Sequence, residues 1–245
     1  MAQRGQDHGD PADPVAGWSR LHGEDVSGSR VVVGWLRLVH VIARIRLVSA
    51  VHPDIWSLAG IVSGGGAVAA AWSGKLWPLV ALVLVILTGV LDGLDGAVAL
   101  RTGRARPLGA VVDAVADRVT DLCLVLVLLA LGAGPWWCAG LAAAVMLHEY
   151  ARARAQGVGM TSAGAITVAE RPTRIIIVVI ACGGASFAPA GTPGTGWSWG
   201  TVSAVLWLGC SLIGGIHLAT GIRRALTGQP LPGSRGPDEL GDDRR

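Results

Sequence analysis

Five aspartates set in otherwise apolar sequence are the side chains of this chain best suited to chemistry: Asp92 and Asp95, then Asp113, Asp117 and Asp121. A carboxylate in hydrocarbon is costly unless it is paired, so such residues mark a site or a pathway. The i, i+3 spacing puts Asp92 and Asp95 on one helical face, and the i, i+4, i+8 spacing does the same for the other three. If the two segments form an antiparallel hairpin turning near residue 104, residues at equal depth have numbers summing to about 208. Asp95 then faces Asp113, and Asp92 faces Asp117. Four carboxylates around one small volume repel each other and call for cations. Two divalent ions would balance them, and all-oxygen ligands favour Mg²⁺ or Mn²⁺ over softer metals. Gly93, Gly96 and Gly109 lie among these acids, where a missing side chain gives either room for a phosphate or sugar or close helix packing.

The elements that must carry these residues follow from composition. The chain has 245 residues, 51% hydrophobic and only 15% charged, and its apolar residues fall in runs of about 20, enough to cross a bilayer. The expected fold is an all-α, polytopic membrane protein, since the buried helices of a soluble protein would be shorter and carry a polar stripe. Six transmembrane helices are expected, at about 55–73, 77–100, 108–131, 135–155, 172–190 and 198–222. They make up a domain from 52 to 224. Before it, residues 30–51 place Arg37, His40 and Arg44 at i, i+3, i+7, as in an amphipathic helix lying at the interface. Residues 1–29 and 225–245 read as disordered tails.

Charge gives the orientation. Arg101, Arg104, Arg106, Arg152, Arg154, Arg171, Arg174, Arg223 and Arg224 border one side and Lys75 alone the other. The basic side is therefore cytoplasmic, with the acids near it. Trp72, Trp77, Trp136, Trp137, Trp197 and Trp199 cluster at the opposite ends, as an aromatic belt does. The four cysteines read as small buried hydrophobes. No cleavable signal peptide, internal repeat or nucleic-acid motif is expected.

Written out, Asp92-x2-Asp95-Gly96-x2-Ala99-Leu100-x8-Gly109-x3-Asp113-x3-Asp117 resembles the signature D-x2-D-G-x2-A-R-x8-G-x3-D-x3-D of the CDP-alcohol phosphatidyltransferases. Leu100 departs from it, and Arg101, about 100° further round a helix, does not simply replace the missing arginine. The resemblance implies metal binding by Asp92, Asp95, Asp113 and Asp117, with Asp117 also the catalytic base. It implies CDP contacts at Asp92, Gly96, Ala99 and Gly109, with Arg101 the nearest guanidinium to the position that Leu100 fills. His52-Pro53-Asp54 is similar to the family's Pro-Asn element.

Tyr150 to Ala155 and Glu170 to Arg174 resemble the K-A-R-A and E-R-P-x-R stretches of the phosphatidylinositol phosphate synthase branch. By that likeness Arg152, Arg154, Arg171 and Arg174 would hold an acceptor phosphate, for which guanidinium geometry is suited. As positive-inside anchors they need no such role. His148 and Glu149 read as interface residues rather than as a polar network.

The implied reaction moves a phosphatidyl group from a CDP-diacylglycerol-like lipid to a small polar alcohol, in the plane of the cell membrane, with CMP as the other product. Inositol phosphate, glycerol phosphate and other alcohols all remain open as acceptors. A homodimer is a family expectation. A transporter using the buried aspartates and an inactive family member are the competing readings.

Overall fold

In the computed structural model the described residues are 30–160 and 171–227, and their regular structure is all helical, without strands. Eight helices occur among them: α1 (Arg30–Ala43), α2 (Arg46–Ala50), α3 (Pro53–Trp72), α4 (Trp77–Thr102), α5 (Pro107–Ala130), α6 (Pro135–Gly157), α7 (Arg171–Phe187) and α8 (Trp199–Leu226). The tails expected at 1–29 and at the C-terminal end past Thr227, and Glu170 of the E-R-P stretch, lie outside the described residues.

Helix starts follow local chemistry. Proline stands in the first turn of α3, α4, α5 and α6, where its missing N–H costs nothing. Ser198 caps α8 by accepting from the Thr201 amide at 3.1 Å. The reversal between the two aspartate helices is made by Gly103, at φ 65°, a left-handed conformation that glycine adopts without a Cβ clash. The Arg104 amide closes it on the Ala99 carbonyl at 3.0 Å.

The segment before α3 differs from the continuous helix expected over 30–51. It breaks at Arg44-Ile45, where Ile45 is extended at the start of α2. Val39 and Ala43 of α1 turn inward onto Leu94 and Val98 of α4, while Arg37 and Arg44 stay exposed. Burial first, then the Arg44 and Arg101 cations, holds the His40 imidazole below its ordinary pKa.

All of α3 to α8 contribute to one apolar core around Val85, Leu128, Leu141, Val178 and Trp207. Alanine and glycine let the backbones approach, the usual device where lipid supplies no drive for association. A Cβ on Gly200 would lie 2.3 Å from the Leu128 carbonyl oxygen, and one on Gly64 would lie 3.2 Å from the Cys123 Cβ. Helices α4 and α5 touch each other sparingly, because α3 packs extensively against both. The expected hairpin is thus splayed, with α3 along it.

Three helices, α3, α4 and α8, are long and apolar enough to cross a membrane by themselves. The other three fall short for visible reasons. Helix α5 carries Asp113, Asp117, Arg118 and Asp121, α6 carries Glu149, Arg152 and Arg154, and α7 has 17 residues. Trp72, Trp77, Trp136, Trp137 and Trp197 are exposed at the ends away from the acids, whereas Trp199 folds over Gly184 and donates to the Ala188 carbonyl at 3.0 Å.

Gly200→Ala should lower stability by about 1–3 kcal/mol, because the new methyl meets backbone that cannot yield. Gly140→Ala on α6, with nothing within 4 Å of its Cβ position, should leave the thermal unfolding midpoint in detergent the same or slightly higher, since alanine is the better helix former.

Candidate active site

Roughly two to three turns inside the ends of α4 and α5, the acids converge. Asp92 and Asp117 interact directly, and so do Asp95 and Asp113, the two pairings that equal depth requires. Asp92, Asp113 and Asp117 each place one carboxylate oxygen within 4.8 Å of the others. Asp95, nearly fully buried, is anchored separately. Its Oδ1 accepts from the Gly96 amide at 2.6 Å and its Oδ2 from the Ser57 hydroxyl of α3.

Arg171, at the start of α7, reaches across this group. One guanidinium nitrogen lies 2.9 Å from Asp92 Oδ1, and the other makes a close ion contact with Asp117 Oδ1, without hydrogen-bond alignment. It also donates to Thr120 Oγ1, whose own hydroxyl turns back to the Ala116 and Asp117 carbonyls at 3.1 and 3.0 Å.

Below this group lies a second set of charges. Arg118 sits 3.6 Å from Asp117 Oδ2, 3.3 Å from Asp121 Oδ2 and 3.1 Å from Glu149 Oε1. Arg174, 3% exposed, pairs with Asp121 at 2.7 Å and Glu149 at 3.0 Å. Glu149 therefore belongs to a polar network, contrary to the interface position read from sequence. His148 is also buried, with neither ring nitrogen hydrogen-bonded.

The glycines divide between the two roles left open for them. A Cβ on Gly93 would stand 3.2 Å from Val39 and 3.4 Å from the Trp35 indole, so this glycine admits α1 against α4. Gly96 is exposed with nothing within 4 Å, leaving open space beside Asp95. Gly109 lies against Arg106, which forms an ion pair with Asp54 of the His52-Pro53-Asp54 element. Ala99 is half-buried, Leu100 is exposed, and Arg101 faces His40 on α1. Of the four arginines considered for an acceptor phosphate, Arg171 and Arg174 contact carboxylates as described. Arg152 is half-buried with an unpartnered Nε, and Arg154 is exposed.

Residues 50–213 match the CDP-alcohol phosphatidyltransferase family. The chain belongs to that family. Among curated relatives, it is 32% identical over 127 residues to an archaetidylinositol phosphate synthase of Aeropyrum pernix, covering 52% of this chain and 64% of that protein. It is 32% identical over 163 residues to a phosphatidylinositol phosphate synthase of Mycolicibacterium smegmatis, covering 61% of this chain and 69% of the relative. The chain thus spans about two thirds of the length of these relatives.

Among solved structures, the Mycobacterium tuberculosis phosphatidylinositol phosphate synthase with CDP-DAG bound superposes with a TM-score of 0.60 at 26% identity, over 82% of this chain and 98% of that one. The same enzyme in complex with manganese and citrate gives 0.61 at 25% identity, over 82% and 97%. With its three long apolar helices, this member of the family is a membrane protein.

The donor set suits the divalent metal expected of a CDP-alcohol phosphatidyltransferase. Three carboxylates meet with one oxygen each, all donors are hard, and a guanidinium already lies against two of them as a counter-charge. Sequence reading passed over Ser57, Thr120 and Arg118. Arg118 left a signal, being the one basic residue between Pro107 and Ala130 in a segment with three aspartates. Ser57 and Thr120 left none, since small hydroxyl residues are common in such helices.

Removing Arg171 strips the counter-charge from two largely buried carboxylates, a change that costs about 3–5 kcal/mol. Arg171→Ala should melt at a lower temperature in detergent than the wild type. Added Mn²⁺ should raise the variant's melting temperature more than the wild type's, because a cation replaces the lost charge.

Proposed function

We propose that the chain transfers a phosphatidyl group from a CDP-diacylglycerol-like donor to a small polar alcohol at a site formed by Asp92, Asp95, Asp113 and Asp117. The observation that carries this is the meeting of acids from two helices at one level, three of them within 4.8 Å of each other, in a chain whose family performs this class of reaction. The names of its relatives favour an inositol phosphate as acceptor.

In this reading Asp92, Asp95, Asp113 and Asp117 hold two Mg²⁺ or Mn²⁺ ions. When bound, such ions would supply positive charge against the donor phosphates and the leaving group. Asp117 takes the proton from the acceptor hydroxyl as its oxygen bonds to the β-phosphorus. The bond from that phosphorus to the bridging oxygen breaks, and CMP leaves with that oxygen. Gly96 leaves space for the nucleotide beside Asp95, with Asp92, Ala99, Gly109 and Arg101 completing its surroundings. Arg152, half-buried, and Arg154, exposed, are the more accessible candidates for an acceptor phosphate, while Arg171 and Arg174 are engaged with carboxylates.

Helices α3 to α8 form the six-span domain, between 52 and 224, in the cell membrane. Helix α1 lies at the cytoplasmic surface, where the nucleotide and the polar acceptor arrive from water while the acyl chains stay in lipid. The arginine-rich ends and the exposed tryptophans at the other ends support this orientation. A single cysteine introduced at Lys75 should react with a membrane-impermeant maleimide on intact cells, and one at Arg104 only after the cells are opened.

Purified protein given CDP-diacylglycerol, Mn²⁺ and a panel of alcohols should release CMP only with an acceptor. Asp117→Asn should slow release by at least about 100-fold, the usual loss with a general base. An Asp117→Asn protein turning over at the wild-type rate would remove the base assignment, and silence of the wild type with every acceptor would favour an inactive member or a transporter.

A further inference from the structure

Below the aspartate site, Arg118, Asp121, Arg174 and Glu149 form a closed circuit. Arg118 contacts Asp121 at 3.3 Å and Glu149 at 3.1 Å, and Arg174 contacts the same two acids at 2.7 and 3.0 Å. Two guanidiniums alternate with two carboxylates, so the circuit is electrically neutral. It joins α5, α6 and α7. Asp121 is fully buried and Arg174 nearly so, which keeps these contacts from being screened as surface pairs are. Arg118 also reaches the upper site, with one nitrogen 3.6 Å from Asp117 Oδ2. Its other terminal nitrogen is the one that Glu149 holds.

We propose that Glu149 is a positioning residue for the aspartate site: by anchoring Arg118 and balancing the charge of the circuit, it keeps Asp117 available to a divalent cation. This rests on the metal-binding part of the function proposed above. Without the Glu149 charge, two guanidiniums share one carboxylate, Asp121, and a net positive charge is left beside Asp117. Arg118, released from α6, keeps Asp121 at 3.3 Å and Asp117 at 3.6 Å, and because Asp121 is already shared with Arg174, its charge bears more on Asp117 and competes there with the cation. Both effects lower metal affinity. Loss of Arg174 works in the opposite direction, since the circuit then carries net negative charge while Glu149 still holds Arg118. A purely architectural circuit would show no such opposition, because either change breaks it equally.

The test uses the full chain in detergent, with Mn²⁺ alone as the probe, bound ion counted by electron paramagnetic resonance and folding followed by circular dichroism. Glu149→Gln should bind Mn²⁺ at least about 10-fold more weakly than the wild type, the scale of loss when groups orienting metal ligands are removed. Arg174→Gln should bind it as tightly or more tightly. Glu149→Gln with wild-type affinity overturns the proposal, as does equal weakening in both variants. If Arg174→Gln does not fold, the comparison of Glu149→Gln with wild type decides. CMP release from the same samples separates the two readings. A wild type that binds Mn²⁺ but never releases CMP ends the proposed reaction and leaves the role of Glu149 to be judged by affinity, while a wild type that binds no Mn²⁺ ends both.

Discussion

Uncompensated negative charge inside a helical bundle is the constraint from which the rest of this molecule follows. Among the described residues, Arg118, Arg171 and Arg174 form ion pairs with Asp92, Asp117, Asp121 and Glu149, and Asp95 and Asp113 stand beside them in the same cluster. The lower half of this cluster is balanced in itself. The upper half has four aspartates and one full arginine partner, and that surplus is what hard cations suit. The chain thus separates a closed, neutral layer from an open, electron-rich one a turn of helix away.

The scaffold serves this separation. With α3 packed along both aspartate helices, α4 and α5 stay far enough apart for their carboxylates to face each other without close packing of the backbones. Helix α3 also supplies the Ser57 hydroxyl that fixes Asp95, so the spacer takes part in the site. On the other flank, Gly93 lets α1 press against α4 one residue from Asp92. Helix α1 therefore supports the first pair of acids from the side of Gly93.

Much of this was legible in the sequence because it depends on helical periodicity. The spacing of the five aspartates and the turn near residue 104 were enough to pair Asp95 with Asp113 and Asp92 with Asp117. Proline and glycine marked the helix ends to within a few residues. Less legible was anything joining helices distant in sequence. Glu149 and Arg174 are ordinary interface residues by position, and only tertiary packing makes them partners of Arg118 and Asp121. The break at Arg44-Ile45 was hidden because both halves continue one amphipathic pattern. Gly93 and Gly96 look alike in sequence, and only the position of α1 tells a packing contact from open space.

The turn at Gly103 carries a further consequence. It is a tight reversal, fixed by a left-handed glycine and followed by a proline that sets the start of α5. The distance along the chain from Asp95 to Asp113 therefore works as a ruler. One residue added between Thr102 and Pro107 would open the turn that the Arg104 amide closes on Ala99, and the same residue added between Pro107 and Asp113 would swing every later acid of α5 about 100° around its axis. The fixed spacing of eight residues between the positions of Leu100 and Gly109 in the family signature has this physical reason.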